Sequence, residues 1–182
     1  MIGNFSPFPQ LATKRLVLRE LKVADAPLIH KLRSDTDTND LLDRKNSSGI
    51  EDALLFIQRV KDNVGRKESI YWIICFENAS DLIGTIGFWN YNLSAETAEI
   101  GYELLVGFRG QGIMSEVLPR VIKFGFEQMK LKFITAYCSP QNACSINLLE
   151  KFGFRLSSSS SSYDNTNQND PGMLLYVLAS AQ

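Results

Sequence analysis

The chain has 182 residues, of which 45% are apolar and 21% are charged, and its formal net charge is −1. This length suits one domain with a full hydrophobic core, so we predict a single domain over residues 1–182. The near-neutral charge argues against a nucleic-acid partner, and no apolar run is long enough to span a bilayer.

The cysteines and the lone histidine exclude several kinds of site. Three cysteines do not make a disulfide framework, so Cys75, Cys138 and Cys144 are expected to be reduced thiols. The N-terminus lacks the pattern of a secretory signal, and the two features together predict a cytoplasmic protein. His30 alone cannot serve a zinc site or a Ser-His-Asp triad, so we expect no metal.

The first half of the chain begins with a strand and continues into helices and a hairpin. Residues 15–20 alternate between polar and apolar, as in a strand. Asp25 and Pro27 predict the start of a helix, with Asp25 as its cap. Residues 35–49 are polar and predict a loop, with a short helical turn at Leu41 and Leu42. A helix and the two strands of a hairpin are predicted at 50–64, 70–76 and 82–91.

The second half of the chain alternates strands and helices. Predicted strands lie at 97–106, 132–138 and 172–179, and predicted helices lie at 113–130 and 142–151. The segment around 153–158 is a candidate for one more strand. Pro119, inside the first of these helices, predicts a kink or a late helix start. The passage from 97 to 138 needs a crossover, so its two strands should be parallel neighbours. We therefore predict an α/β fold with a mixed, mostly antiparallel sheet and helices on both faces.

A glycine-rich turn joins the strand at 97–106 to the following helix. It comprises Arg109, Gly110, Gln111, Gly112, Ile113 and Met114. Backbone N–H groups at the positive end of a helix dipole suit a phosphate. A P-loop would need Lys and then Ser or Thr after the last glycine, but Ile113 and Met114 stand there. A Rossmann turn would follow the first strand of a parallel sheet, whereas this turn follows a predicted hairpin. A pyrophosphate cradle remains, and a plain strand-to-helix connection is the alternative.

A second motif opens the helix at 142–151. Asn142 and Ser145 stand one helical turn apart, and Gly153 and Phe154 close the segment. Asn142 reads as the N-cap of the helix and Gly153 as its stop. Together the two motifs resemble the acyl-coenzyme A site of the GNAT superfamily of N-acetyltransferases, and most closely its RimJ/RimL-type branch.

This resemblance implies the GNAT acyl-CoA N-acyltransferase fold and an enzyme that moves an acetyl group from acetyl-CoA to a primary amine. The amine would attack directly in a ternary complex, and it would belong to a protein N-terminus or a small molecule. The number of copies stays open between a monomer and a homodimer. The alternative is a non-catalytic acyl-CoA-binding or sensor module that keeps Arg109, Gly112 and Asn142 but has no competent base.

The resemblance also assigns residues to the cofactor. Pantetheine would pair with the backbone near the end of the strand at 97–106, and the glycine-rich turn would hold the pyrophosphate. Asn142 would hydrogen-bond the pantetheine arm. The implied cofactor contacts are Leu104, Leu105, Val106, Arg109, Gly110, Gln111, Gly112, Ile113, Met114, Asn142 and Ser145.

The resemblance implies a catalytic base and a catalytic acid as well. Glu99 and Glu103 have the same parity on one strand, so they point to one face, and either can take the proton of the amine. Glu99 is equally a candidate partner for an arginine of the first strand. Ser145 would protonate the leaving thiolate, with Tyr102 or Tyr137 in its place as the alternative. Some RimJ/RimL-type enzymes carry an acidic residue just after the Gly-Phe step. This chain does not, which adds Asp164 or a chain of water molecules to the candidate bases.

Overall fold

Eight strands form one sheet in the part of the chain that the computed structural model describes, which is residues 5–42, 44–157 and 172–180. The strands are β1 (Leu11–Ala12), β2 (Leu16–Glu20), β3 (Ile70–Phe76), β4 (Gly84–Asn92), β5 (Thr97–Leu104), β6 (Phe133–Cys138), β7 (Arg155–Leu156) and β8 (Leu174–Ala179). The helices are α1 (Ala26–Leu32), α2 (Thr36–Leu41), α3 (Ile50–Gly65), α4 (Ile113–Glu127) and α5 (Ala143–Lys151).

The strand order is β1-β2-β3-β4-β5-β6-β8-β7. Strands β5 and β6 are parallel because α4 crosses between them, whereas the other neighbouring pairs of described strands are antiparallel. The predicted α/β fold with a mixed, mostly antiparallel sheet is therefore confirmed.

The sheet has a hydrophobic core on each face. Side chains alternate along a strand, so Ile73 of β3 packs on one side and Trp72 on the other. On the first side Ile73 meets Ile29 of α1 and Ile57 of α3 in one buried cluster. On the second side Trp72 belongs to the cluster that contains Val117 of α4. Burial of these apolar side chains fixes the helices on both faces and holds β5 and β6 between them.

The segment predicted as a loop over 35–49 begins with a helix, so that prediction is wrong in its first part. Helix α2 is polar and made of weak helix formers, which hides it from sequence patterns. Asn39 stabilises it from a buried position, with 1% of its surface exposed. Its side-chain nitrogen donates to the carbonyl of Arg33 at 2.8 Å, and its side-chain oxygen accepts from Nε of Arg44 at 2.8 Å.

Several predicted boundaries also change. Strand β5 ends at Leu104, and a 3-10 turn at Val106–Phe108 replaces the last predicted strand residues. Helix α4 begins directly after Gly112 and continues through Pro119, so the late start is wrong. Asp25 precedes α1 without capping it, because its carboxylate accepts from the backbone N–H of Lys22 at 2.8 Å.

Candidate functional site

The parallel strands β5 and β6 separate after three paired residues, the last pair being Glu99 and Thr135. Beyond that point β5 remains paired with β4 along its other edge. The N–H of Leu105 donates to the carbonyl of Ile83 at 3.0 Å, so odd-numbered residues of β5 face β4. Even-numbered residues direct their backbone groups to the other edge, because the two directions alternate along a strand. An open edge therefore borders the gap at Ile100, Tyr102 and Leu104, and an extended ligand could pair with it.

The side chains of β5 also alternate, which places different chemistry on the two faces of the strand. Glu99 and Glu103 lie on the face covered by α1 and α3. Tyr102 lies on the face covered by α5, where its hydroxyl is 2.9 Å from Oγ of Ser145. Two carboxylates and a pair of hydroxyls thus flank the open edge from opposite sides.

The hydroxyl pair is held in a protonated state. Burial raises the pKa of Tyr102 to about 12, against the opposing effect of its hydrogen bond with Ser145. Burial likewise raises the pKa of the neighbouring Cys138 thiol, whose Sγ donates to the carbonyl of Ser139 at 3.4 Å. A nucleophilic cysteine needs the opposite shift, so the Cys138 thiol is not activated as a nucleophile.

The two carboxylates differ in their partners. Both oxygens of Glu103 accept from the guanidinium of Arg44, at 3.1 and 2.9 Å, and 9% of the Glu103 side chain is exposed. Glu99 accepts from the side-chain amide of Asn90 at 2.8 Å. A bidentate guanidinium occupies both oxygens of a carboxylate, so Glu103 is tied to Arg44.

Trp89 lies across the strand between these carboxylates. Trp89 of β4 pairs with Glu99, and its ring covers Gly101. A Cβ atom at Gly101 would stand 2.2 Å from the indole ring, so any side chain there would have to displace Trp89. The glycine lets the indole form a flat apolar wall beside the open edge.

The glycine-rich turn has the geometry of an anion cradle. Gly110 and Gly112 have φ values of +74° and +72°, which side chains rarely adopt, and nothing lies within 4 Å of a Cβ atom placed on Gly110. The N–H of Glu116 makes a first-turn bond to the carbonyl of Gly112 at 3.1 Å. The preceding N–H groups of the helix, those of Ile113, Met114 and Ser115, point out of its exposed end.

Arg109 joins three parts of the site. Its Nε donates to the carbonyl of Leu104 at 3.2 Å, on the open edge of β5. Its Nη2 donates to Asp35 at 2.6 Å and to Thr38 in α2. Hydrogen bonds from Thr38 and Arg109 hold the pKa of the Asp35 carboxyl below its usual value. The Arg109 side chain thus fastens the turn to α2 and to the strand.

Glu116 fastens the start of α4 to the beginning of the chain. Its carboxylate accepts from the hydroxyl of Thr13 at 2.6 Å, from the N–H of Arg15 at 2.9 Å and from Nε of Arg15 at 2.7 Å. Burial acts to raise the pKa of Glu116, and these hydrogen bonds outweigh it and lower the pKa. Arg19, the other arginine of this segment, pairs with Asp25 at 2.6 Å. The arginines considered as partners of Glu99 therefore bind other carboxylates.

Asn142 is the N-cap of α5, because its Oδ1 accepts from the N–H of Ser145 at 3.0 Å. This leaves the side-chain nitrogen of Asn142 to donate to a ligand. Leu105 is buried and its N–H donates to the carbonyl of Ile83, whereas Val106 is 60% exposed. Asp164 lies outside the described residues. No group of three or more candidate metal ligands occurs in residues 5–42, 44–157 and 172–180.

Sequence reasoning missed the partner of Glu103. Arg44 stands 59 positions away, in a polar segment without periodicity, and no local pattern links the two residues. The available signal is a general one: a glutamate on a half-buried strand needs a partner.

The comparisons with known proteins agree with this geometry. The family model described as "Acetyltransferase (GNAT) domain" matches residues 15–155. A Bacillus subtilis protein named "Uncharacterized N-acetyltransferase YoaA" is 35% identical over 148 residues, which are 81% of this chain and 84% of the relative. The chain belongs to the GNAT family of acetyl-CoA-dependent acetyltransferases.

Two solved structures extend the likeness to the whole fold. An acetyltransferase from Agrobacterium tumefaciens has a TM-score of 0.78 at 23% identity, covering 95% of both chains. RimL, named as a ribosomal alpha-N-protein acetyltransferase in complex with coenzyme A, has a TM-score of 0.79 at 19% identity and covers 94% of this chain and 98% of its own. The predicted GNAT family is confirmed, and the RimJ/RimL-type resemblance holds in the fold. No helix among the described residues has the length and apolar character to span a membrane.

Proposed function

We propose that this protein acetylates a primary amine in the cytoplasm by direct attack on acetyl-CoA, in a complex that holds both substrates. The acceptor is a protein N-terminus or a small-molecule amine. One observation carries the proposal: the open edge of β5 lies between carboxylates on one face and the Tyr102–Ser145 hydroxyl pair on the other. An amine can give up its proton on one side while a thiolate receives one on the other.

The cofactor contacts follow from the backbone groups that face the gap and the turn. The N–H groups that open α4 hold the pyrophosphate, with Gly110 and Gly112 giving them access. The backbone of Leu104 and Val106 pairs with the pantetheine arm. Leu105 lies between them and holds this segment in place through its N–H, which donates to Ile83. The side-chain nitrogen of Asn142 donates to the same arm.

The proton transfers are assigned to residues on the two faces. Acetyl-CoA supplies an activated acetyl group as a thioester. Glu99 takes the proton of the acceptor amine, directly or through a water molecule. Glu103 keeps its pair with Arg44 and shapes the acceptor side. Tyr102 and Ser145 act together, with the proton passing along their hydrogen bond to the departing sulfur. Backbone N–H groups of the open edge stabilise the developing oxyanion.

A thiol-release assay tests this function. The protein is given acetyl-CoA with a primary amine or an N-terminal peptide, and the matched control is the same peptide with a blocked N-terminus. We expect coenzyme A release that depends on the free amine. Acetyl-CoA binding without release on any amine would identify the sensor module instead.

A thermal-shift measurement tests the cradle separately. Acetyl-CoA should raise the Tm, since a ligand that binds only the folded state stabilises it. Gly112→Asp should abolish that shift, because the new carboxylate would face the pyrophosphate at a position with a positive φ. An unchanged shift in this variant would contradict the assignment of the turn.

A further inference from the structure

Residues 33–42 together with Arg44 form a wall beside the carboxylate face of β5. Arg44 reaches Glu103 with both terminal nitrogens, and its Nε donates to Asn39. The same buried Asn39 donates to the carbonyl of Arg33 at 2.8 Å. Arg109 fastens α2, the middle of this wall, to the end of β5. Two arginines therefore lie on the face of β5 that carries Glu103, where the proposed function places the acceptor amine.

The Arg33 side chain is half-buried and stacked on an aromatic ring. Its guanidinium carbon lies 4.1 Å from the centroid of the Phe56 ring. Phe56 packs edge-to-face against Tyr71 of β3, with ring centroids 5.7 Å apart. Within residues 5–42, 44–157 and 172–180, no oxygen accepts a hydrogen bond from this guanidinium. The stack fixes the plane of the fork and leaves its N–H edge available.

Positive charge predominates around Arg33. Burial is the largest effect lowering the pKa of Arg33, and the positive charge of Arg44 is the next. Arg59 acts in the same direction, against the opposing charge of Glu103. Glu103 already binds Arg44 through both oxygens. An arginine stays charged in proteins, and no ion pair within residues 5–42, 44–157 and 172–180 includes Arg33, so no described carboxylate is paired with its charge.

We propose that Arg33 binds a carboxylate carried by the acceptor, so that the enzyme selects amines bearing a negative charge over neutral or polycationic amines. A planar guanidinium fork matches a carboxylate in two parallel hydrogen bonds. The proposal rests on the proposed function, because it names the acceptor class of the same site. The carboxylate can be the α-carboxylate of a free amino acid or an acidic side chain near a peptide N-terminus.

Matched acceptors test the selection. Glycine is compared with glycinamide, which lacks the α-carboxylate. The peptide amide Ala-Glu-Ala is compared with the peptide amide Ala-Gln-Ala, which lacks the side-chain carboxylate. The first pair tests an α-carboxylate and the second tests an acidic side chain. The wild type should show a kcat/KM at least about tenfold higher for the acidic member of one pair, because hydrogen bonds to charged groups are the stronger class. Arg33→Gln should remove that preference without changing the KM for acetyl-CoA. Arg33→Lys, which keeps the charge but not the fork, should keep part of it.

Arg59→Gln is the control, since it removes an exposed neighbouring charge from α3. It should keep the preference. Equal rates within both pairs for the wild type, or an equal loss in Arg59→Gln, would overturn the proposal. Calorimetric titration of N-acetylglycine and N-acetylglycinamide into the protein loaded with coenzyme A needs no turnover. Binding of the acid that is lost in Arg33→Gln supports the inference even if no amine is acetylated, and equal binding of acid and amide refutes it.

Discussion

On the side of β5 that faces α1 and α3, the polar groups are charged and paired across long sequence distances. Glu103 reaches Arg44, 59 positions earlier, and Arg33, which stacks on Phe56, has no carboxylate partner among the described residues. On the side that faces α5, the polar groups are the neutral hydroxyls of Tyr102 and Ser145. Strand β5 thus has charged side chains on one face and neutral hydroxyl groups on the other. The gap between β5 and β6 lies beside both faces.

The largest effect should come from Glu99. Replacing Glu99 with Gln removes the proposed base, so kcat should fall about 10²–10⁴-fold while acetyl-CoA binding persists. The matched variant is Glu103→Gln, which changes the same group four positions along the same face. Steady-state rates and a thermal shift with acetyl-CoA measure the two variants. If Glu103→Gln loses the larger factor in kcat, the assignment of the base is reversed.

Glu103→Gln should act on stability instead. It leaves the Arg44 guanidinium, with 18% of its side chain exposed, without its carboxylate. We expect the free energy of unfolding to fall by about 2 kcal/mol, as one partner of a largely buried pair is removed. Glu68→Gln is the control, because the Arg66–Glu68 pair is more than half exposed and such pairs contribute little. Urea unfolding that gives equal losses for both variants would contradict the difference in burial.

A smaller effect is expected from the hydroxyl face. Tyr102→Phe and Ser145→Ala should each lower kcat by about tenfold, and the double variant should lose little more, because the two groups act as one hydrogen-bonded unit. The Kd for coenzyme A should stay nearly unchanged. Tyr176→Phe, which removes a hydroxyl bound to Glu150, is the matched control. If the loss of kcat in the double variant equals the combined losses of the two single variants, the hydroxyls act separately.

The smallest effect concerns alkaline stability. Tyr102 has a folded-state pKa of about 12, above the ordinary tyrosine value of 10, so its contribution to stability is complete below pH 10 and is lost as the pH rises towards 12. Between pH 9 and pH 11 the free energy of unfolding of the wild type should fall by about 1 kcal/mol more than that of Tyr102→Phe. Denaturant unfolding at both pH values measures this difference, and parallel losses in the two proteins would contradict the burial of the phenol.

Local sequence patterns predicted the elements that carry the two motifs. The glycine-rich turn precedes α4 and Asn142 caps α5 as expected, since backbone conformation and capping depend on residues a few positions apart. The predictions failed where stability comes from distant contacts. Helix α2 depends on buried Asn39, and the pair of Arg44 with Glu103 joins segments that no periodicity connects. The apolar run after Leu104 continued the strand pattern, although the chain leaves the sheet there in a 3-10 turn.

The carboxylate of Glu116 has a consequence for how the chain folds. Its bonds to Thr13 and Arg15 span 103 and 101 positions. Contacts of such high sequence separation form late, because the loop they close must first lose its freedom. During synthesis the first strands therefore leave the ribosome long before the helix that anchors them. A nascent chain that ends before residue 116 lacks α4 and β6, so the edge of β5 and one face of the sheet are uncovered, and we expect it to be the form most open to proteases and to chaperones.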